Sequence, residues 1–212
     1  TDGVTITSFT TNDGAFTLTA GGQVDVTSVD ASNTDDDTND VDISTSSGDI
    51  VVASIVAGAQ NDATLTASAG EAYGNGTAPE ITTDVLTVDA GAGIGATDPL
   101  DVIANELDTD TIGGNIDINN AAINPVTVTS MTTTGDPGTI DYDQTGNQPV
   151  TLTLVNSANG NIAITNTGGA AATVLAGEVT ADTTDDVVTI TASGAIGDDV
   201  VGGDDLADIT GA

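Results

Sequence analysis

The chain has 212 residues, of which 33 are Asp or Glu and none is Lys, Arg or His, so its formal net charge is −33 at pH 7. A chain without cationic side chains forms no internal salt bridge and offers no Lys or Arg to phosphate groups, which excludes nucleic acid and anionic membrane surfaces as expected partners. It has no cysteine for a disulfide or a thiol nucleophile, while its 38% hydrophobic content with regular spacing predicts a folded chain.

Short segments in which apolar residues alternate with Thr or Asp recur along the whole chain, separated by Gly, Asn, Asp or Ser. Each segment puts two apolar side chains on one face, which is typical of a strand with one buried and one solvated face. No apolar stripe of helical spacing is long enough to predict a helix. The predicted strands are, in chain order, Val4–Ile6, Phe16–Leu18, Val24–Val26, Val41–Ile43, Ile50–Val52, Ala63–Leu65, Val85–Val88, Leu100–Val102, Ile116–Ile118, Val126–Val128, Ile140–Tyr142, Val150–Leu154, Ile162–Ile164 and Val188–Ile190.

The spacing of these strands indicates a solenoid. Ile116, Ile140 and Ile162 follow one another at intervals of roughly 22–24 residues, and a second series that begins at Val126 recurs with a similar period. A period of this size is typical of repeat architectures, and roughly 22–24 residues with two or three short strands make one coil of a parallel β-helix. Aromatic residues are 2% of the chain, which suits a narrow interior filled by Val, Ile, Leu and Ala. We therefore predict an all-β, right-handed parallel β-helix (β-solenoid) of roughly nine coils of roughly 22–24 residues.

A longer similarity relates the two halves of the chain. Residues 14–29 (GAFTLTAGGQVDVTSV) share their hydrophobic pattern with residues 114–131 (GNIDINNAAINPVTVTSM). The two segments are offset by about 100 residues. This offset predicts two diverged solenoid repeats, residues 1–104 and 105–212, in one continuous rod. The end of the second repeat is in phase with the start at Asp2, which indicates a tandem array or a subunit that stacks end to end.

Four segments carry a resemblance to a known family: SGDIVVAS, GGNIDINN, NGNIAITNTG and LTVDAGAGIGATDPLDVIANEL. They resemble the repeats of filamentous-haemagglutinin-type exoproteins, which are giant bacterial surface proteins of the two-partner secretion and related adhesin groups. The resemblance covers essentially the full length of the chain. It implies a right-handed parallel β-helix, export from the cell, and a fibrous or adhesive role.

The acidic residues raise the question of bound cations. Stacked coils bring like residues to about 4.8 Å, so carboxylates either stagger or hold cations between them. Calcium is the candidate cofactor because it takes several carboxylate and carbonyl oxygens in flexible geometry, although no EF-hand loop or calcium-binding nonapeptide is present. For each of the densest clusters a solvated loop is the alternative to a metal site. The candidate metal ligands are Asp35, Asp36, Asp37, Asp198, Asp199, Asp204 and Asp205.

The functional prediction follows from the solenoid and from the missing side chains. Without His, Cys, Lys or Arg the means for acid–base or nucleophilic catalysis are few, so we predict no enzymatic activity. No apolar run is long enough to span a bilayer, no signal peptide is visible, and the start at Thr1 predicts a mature or excised segment. No capping helix is predicted at either end, so the terminal coils should expose unpaired strand edges.

We therefore predict a structural, self-associating subunit or segment of an extracellular bacterial or archaeal fibre. Its partners would be copies of itself or adjoining repeats of the same chain, joined end to end, together with cations, and it would lie outside the cell or on the cell surface. Two alternatives stay open: a stalk segment of a large secreted adhesin, and a calcium-dependent surface-layer or matrix module.

Overall fold

The chain winds as a parallel β-solenoid. The computed structural model describes residues 3–33, 38–136, 138–182 and 185–198, together with the backbone of residues 209–211. These residues form strands, turns and bends with no helix, and their paired strands run parallel: Val4–Ile6 pairs with Val24–Val26, and Ile162–Asn166 pairs with Val188–Ala192. This confirms the predicted fold class. Because the described part of the chain contains no helix, it contains none that could cross a membrane.

The strands stack in three ladders, which we call the first, second and third faces, and the first face counts nine coils. The first face consists of β1 (Val4–Ile6), β4 (Val24–Val26), β7 (Ile50–Val52), β10 (Glu71–Gly74), β13 (Gly93–Ile94), β16 (Ile116–Asn120), β18 (Ile140–Gln144), β20 (Ile162–Asn166) and β22 (Val188–Ala192). The second face consists of β2 (Phe9–Thr10), β5 (Val29–Asp30), β8 (Ile55–Val56), β11 (Ile81–Thr82) and β14 (Leu100–Ile103). The third face consists of β3 (Phe16–Ala20), β6 (Val41–Thr45), β9 (Ala63–Ala67), β12 (Val85–Ala90), β15 (Glu106–Thr111), β17 (Val126–Thr133), β19 (Val150–Ser157), β21 (Val174–Ala181), β23 (Ile196–Asp198) and β24 (Ile209–Gly211).

Each coil places its residues directly over equivalent residues of the previous coil. Ile140 stands opposite Ile162, one period further along the chain, as the sequence predicts. The advance per coil varies more widely than the sequence predicts: it is shorter where Val4 stands opposite Val24 and longer where Ile162 stands opposite Val188. The ladders continue despite this variation because extra residues lie in the loops between faces or, in β17, in an irregularity where the register shifts opposite Leu107 and Asp108.

Side chains alternate between the interior and the outer surface along each strand. In β9, Ala63, Leu65 and Ala67 point inward and are at most 1% exposed, while Thr64 and Thr66 are half-buried on the outer surface. Val, Ile, Leu and Ala make up most of the interior. The predicted alternation of a buried and a solvated face is therefore confirmed.

Polar side chains inside the stack are paired with each other or with the backbone. Asn120 and Gln144 occupy the same ladder, and the Gln144 amide donates to the Ala122 carbonyl at 3.0 Å. The buried Tyr142 hydroxyl donates to Gln144 Oε1 at 2.9 Å. The Thr109 hydroxyl is an exception, because it is fully buried and has no hydrogen-bond partner.

The cross-section of the stack changes at the sixth coil. Strand β16 covers two shorter strands of the coil below, with Ile116 opposite Ile94 in β13 and Ile118 opposite Leu100 in β14. Residues 96–99 leave the stack between those two shorter strands. A coil with two strands can therefore sit directly on a coil with three.

The segments that are similar between the two halves of the chain lie on different faces of the solenoid. Phe16 lies in the third face and Ile116 in the first, whereas Val24 lies in the first face and Val126 in the third. The offset thus spans between four and five coils, and the apolar–polar alternation it detects is common to all faces. The division into two homologous repeats stays a prediction.

Candidate functional surfaces: acidic ladders and open ends

Acidic residues on the outer surface are mostly separated by uncharged residues along the stack. Asp42 in β6 stands between Thr17 in β3 and Thr64 in β9. Asn119 likewise stands between Asp101 and Asp143. Because like charges in register repel, this alternation lowers the electrostatic cost of stacking so many carboxylates.

Two register pairs among the described strands place one carboxylate directly over another: Asp89 over Asp110 on the third face, and Asp117 over Asp141 on the first. At a ladder spacing of about 4.8 Å, two such charges repel by roughly 1–3 kcal/mol for an effective dielectric between 80 and 20. These pairs are the strongest candidates in the described chain for an interaction with cations or protons.

Asp117 lies at the centre of the more crowded group. Burial, followed by the charges of Asp141, Asp143 and Asp101, raises the pKa of Asp117 from its usual range to about 6. Burial and Asp143 also raise the pKa of Asp141. Asn119 lies within the group and donates from its side-chain amide to Asp101 Oδ1 at 2.7 Å. The group is therefore expected to take up a proton under mildly acidic conditions.

The second pair lies in a groove on the third face, with a volume of about 440 Å³. Asp110 accepts a hydrogen bond from the Ser130 hydroxyl at 3.1 Å and another from the Thr132 hydroxyl. Burial and Asp110 raise the pKa of Asp89, while burial, Asp110 and Asp89 raise the pKa of Asp108. The groove is lined by Thr66, Ser68, Asp89, Ala90, Asp110, Thr111, Ile112, Thr132 and Thr134.

Neutral donors take the place of cations around the other carboxylates. Amide side chains donate to two of them, from Gln23 to Asp25 at 2.7 Å and from Asn105 to Asp84 at 2.8 Å. The side chain of Glu80 is 3% exposed and accepts the Asp101 backbone N–H at 2.8 Å. Burial raises the pKa of Glu80. The fold thus accommodates its negative charge through amides, hydroxyls and backbone N–H groups.

The predicted metal ligands are mostly outside the described residues. Asp35, Asp36, Asp37, Asp199, Asp204 and Asp205 lie there. Asp198 is described: it ends β23, is exposed, and stands opposite Ala176 of β21. Across the described ranges, no group of three or more Asp or Glu residues has the arrangement of a metal site.

Sequence reasoning did not single out the two stacked acidic pairs, although the sequence contained a clear signal for one of them. The segments I-D-I at 116–118 and I-D-Y at 140–142 share the spacing that predicted the solenoid, so Asp117 and Asp141 had to be neighbours. The pair Asp89 and Asp110 had a weaker signal, because β12 and β15 share only the pattern L-x-x-D and the sequence analysis predicted no strand at the position of β15.

The first coil has no described strand below it, and its interior is open. Strands β1, β2 and β3 are edge strands. Their interior side chains Val4, Ile6, Phe16 and Leu18 are only partly buried, and Phe9 is 37% exposed. The equivalent residues of the second coil are at most 2% exposed; they are Val24, Val26, Val29, Val41 and Ile43.

On the first face of the last coil, interior side chains are likewise more exposed than those of the coil next to it. Val188 and Ile190 in β22 are partly buried, whereas Ile162 and Ile164 directly below them are at most 1% exposed. Both ends of the described stack therefore present apolar ladder residues and strands with one unpaired edge, which are features that natural β-proteins usually cover.

Comparisons with known proteins add no further assignment. No protein-family model, no curated protein and no solved structure matches the chain.

Proposed function

We propose that this protein is a structural, self-associating subunit or segment of an extracellular fibre, and that its coils continue from one copy to the next. The β-solenoid fold fits a structural role, and one observation supports self-association: among the described residues, the outer edges of the three strands of the first coil are unpaired and its apolar interior is partly exposed. An uncapped solenoid end is a template on which another strand can add.

The energetics of an end-to-end contact are close to balance. Completing the burial of the partly exposed Val, Ile, Leu and Phe side chains at the two ends would contribute on the order of 5–10 kcal/mol. Association costs about 4–15 kcal/mol in lost motional freedom. Backbone hydrogen bonds across the contact, each worth about 0.5–1.5 kcal/mol, therefore decide whether copies join.

The proposal includes a surface that stays hydrated and negatively charged outside the cell, and no catalytic activity. The chain resembles filamentous-haemagglutinin-type repeats, and its solenoid is compatible with their fold, which supports an exported, fibrous role. The total absence of Lys, Arg and His gives fibres a strong mutual repulsion that dissolved or bound cations such as Ca²⁺ would lower.

The test is the behaviour of the purified chain over a range of concentrations. Sedimentation velocity and negative-stain microscopy should show rods that lengthen with concentration at constant width, in steps of about 43 Å for nine coils. A chain that remains monodisperse at millimolar concentration, with or without added salt, would overturn the self-association and favour an adhesin stalk.

A calcium-dependent matrix module is the second candidate, and the stacked pairs Asp89–Asp110 and Asp117–Asp141 favour it. In that case the chain should stay monomeric in chelator and assemble when millimolar Ca²⁺ is added. Mg²⁺ at the same ionic strength is the matched control, because its stricter octahedral geometry makes it a poorer ion for such flexible sites.

A further inference from the structure

The two ends of the solenoid match each other in sequence and in register. In the first face the ladder that starts at Val4, Thr5 and Ile6 ends in the ninth coil at Val188, Thr189 and Ile190. A second copy placed in line would therefore put Val on Val, Thr on Thr and Ile on Ile. In the third face, the backbone of β24 pairs with Val179–Ala181. This ladder begins in the first coil at the last residues of β3, so a second copy placed in line would continue it as well.

The outward positions at these ends are threonines. Thr5, Thr17 and Thr19 are exposed in the first coil, and Thr189 and Thr191 are exposed in the last. In the second coil, by contrast, the residue opposite Thr5 is Asp25 and the residue opposite Thr17 is Asp42. A joint between ends would therefore stack uncharged hydroxyls, as the chain already does where Thr165 stands opposite Thr191. Cross-strand Thr pairs are favourable, whereas stacked carboxylates repel.

The backbone groups at the two ends are also complementary. The Val4 N–H donates to the Gln23 carbonyl of the second coil at 2.8 Å, so the N–H of Thr5 points away from that coil. The Ile162 N–H donates to the Val187 carbonyl at 2.9 Å, so the N–H and C=O of Val188 point away from the eighth coil. With Val188 of one copy opposite Val4 of the next, the Thr5 N–H meets the Val188 carbonyl in the ordinary parallel pattern.

From these observations we propose that the first face of the last coil, β22, is the docking surface for β1 of a second copy, in the register Val188 on Val4, Thr189 on Thr5 and Ile190 on Ile6. The inference rests on the proposed self-association and specifies its geometry: a head-to-tail joint in which β22 of one copy pairs with β1 of the next, and both strands donate and accept backbone hydrogen bonds. The chain itself contains a contact between a two-stranded and a three-stranded coil, where β16 pairs with both β13 and β14.

One residue at the described C-terminal edge opposes the joint. Asp198 occupies the ladder that begins at Phe16 and passes through Leu152 and Ala176, so a second copy would place its Phe16 next to this carboxylate. Inward charges at an edge are a common device against strand addition. Removal of this negative charge is therefore expected to favour association.

Two proline variants test the joint. Thr5→Pro removes the N–H that the joint uses and leaves the bonds between the first and second coils intact, while Val188→Pro does the same at the other end, at the first residue of an edge strand, where proline is tolerated. Each variant alone should remain monomeric in sedimentation velocity, with association weakened at least about tenfold. An equimolar mixture should form a dimer and nothing longer, because one intact joint remains available.

The controls separate this inference from the proposed function. Thr5→Val keeps both the N–H and the β-branched shape and loses only the hydroxyl of one Thr pair, so its association should weaken by no more than about fivefold. Circular dichroism should show that all variants are folded. If the original chain does not associate at all, the proposed function fails. If it associates but the proline variants do so equally well, or if one of them alone forms dimers through two like ends, the head-to-tail joint is refuted while self-association stands.

Discussion

Replacement of Asp117 by Asn should stabilise the protein at neutral pH. Burial and three neighbouring carboxylates raise the pKa of Asp117 to about 6, against about 3.9 in an unfolded chain. One pKa unit corresponds to about 1.36 kcal/mol, so a shift of about two units means that the charged side chain lowers the unfolding free energy at pH 7 by up to about 3 kcal/mol. Since Asp117 is partly solvated, which screens part of this cost, we expect a gain of about 1–2 kcal/mol in the unfolding free energy.

The direction of the pH dependence follows from the same shift. Because its folded pKa is raised, Asp117 binds more protons in the folded than in the unfolded state between about pH 4 and pH 6. Its contribution to stability is therefore highest below this window and falls as the pH rises through it. The raised pKa values of Asp89, Asp108, Asp141 and Glu80 act in the same direction.

The assay is thermal and urea unfolding of Asp117→Asn and the original chain by circular dichroism, at half-unit steps from pH 4 to pH 8. The melting temperature at pH 7 should rise by roughly 2–8 °C, and the difference should vanish near pH 4. Asp42→Asn is the matched control, since Asp42 lies between Thr17 and Thr64 and its removal relieves no stacked pair. A variant that loses stability at pH 7, or gains no more than the Asp42 control, would refute the reasoning.

Three further substitutions test the interior and the end of the stack. Thr109→Val removes a buried hydroxyl without a partner between Val88 and Met131, so urea unfolding should show a gain of about 1–2 kcal/mol; a loss would mean that the hydroxyl is satisfied. Tyr142→Phe deprives Gln144 Oε1 of its donor in the interior, and the same measurement should show a loss of about 1–3 kcal/mol, with an unchanged value as the contrary result. Asp198→Asn removes the charge in the ladder that begins at Phe16. Sedimentation should then show association that is about three- to tenfold tighter at pH 7 and less sensitive to salt. Equal or weaker association would contradict the inference that Asp198 opposes the joint.

The stacked acidic pairs show how far the sequence could lead to the candidate sites. The pair Asp117 and Asp141 sits inside the repeated motif that defined the coil length, so its contact follows from the period once a parallel stack is assumed. The pair Asp89 and Asp110 depends on how β12 and β15 align across a loop of different length. The clusters that look densest in the sequence, by contrast, lie outside the described residues apart from Asp198.

The sequence by itself determined which side chains enter the interior and that equivalent residues recur with a regular period between Ile116 and Ile162. It could do so because alternation and period are local properties of a strand and of a coil. Only the tertiary structure decided which face each strand joins, as the separation of Phe16 from Ile116 shows. It also revealed the very short strands of the second face, such as β2 and β8, which cannot carry a periodic signal. The face that a strand joins, the stacking of charged residues and the exposure of the ends all depend on which coils lie above and below a residue. Those neighbours are set by pairing between distant parts of the chain.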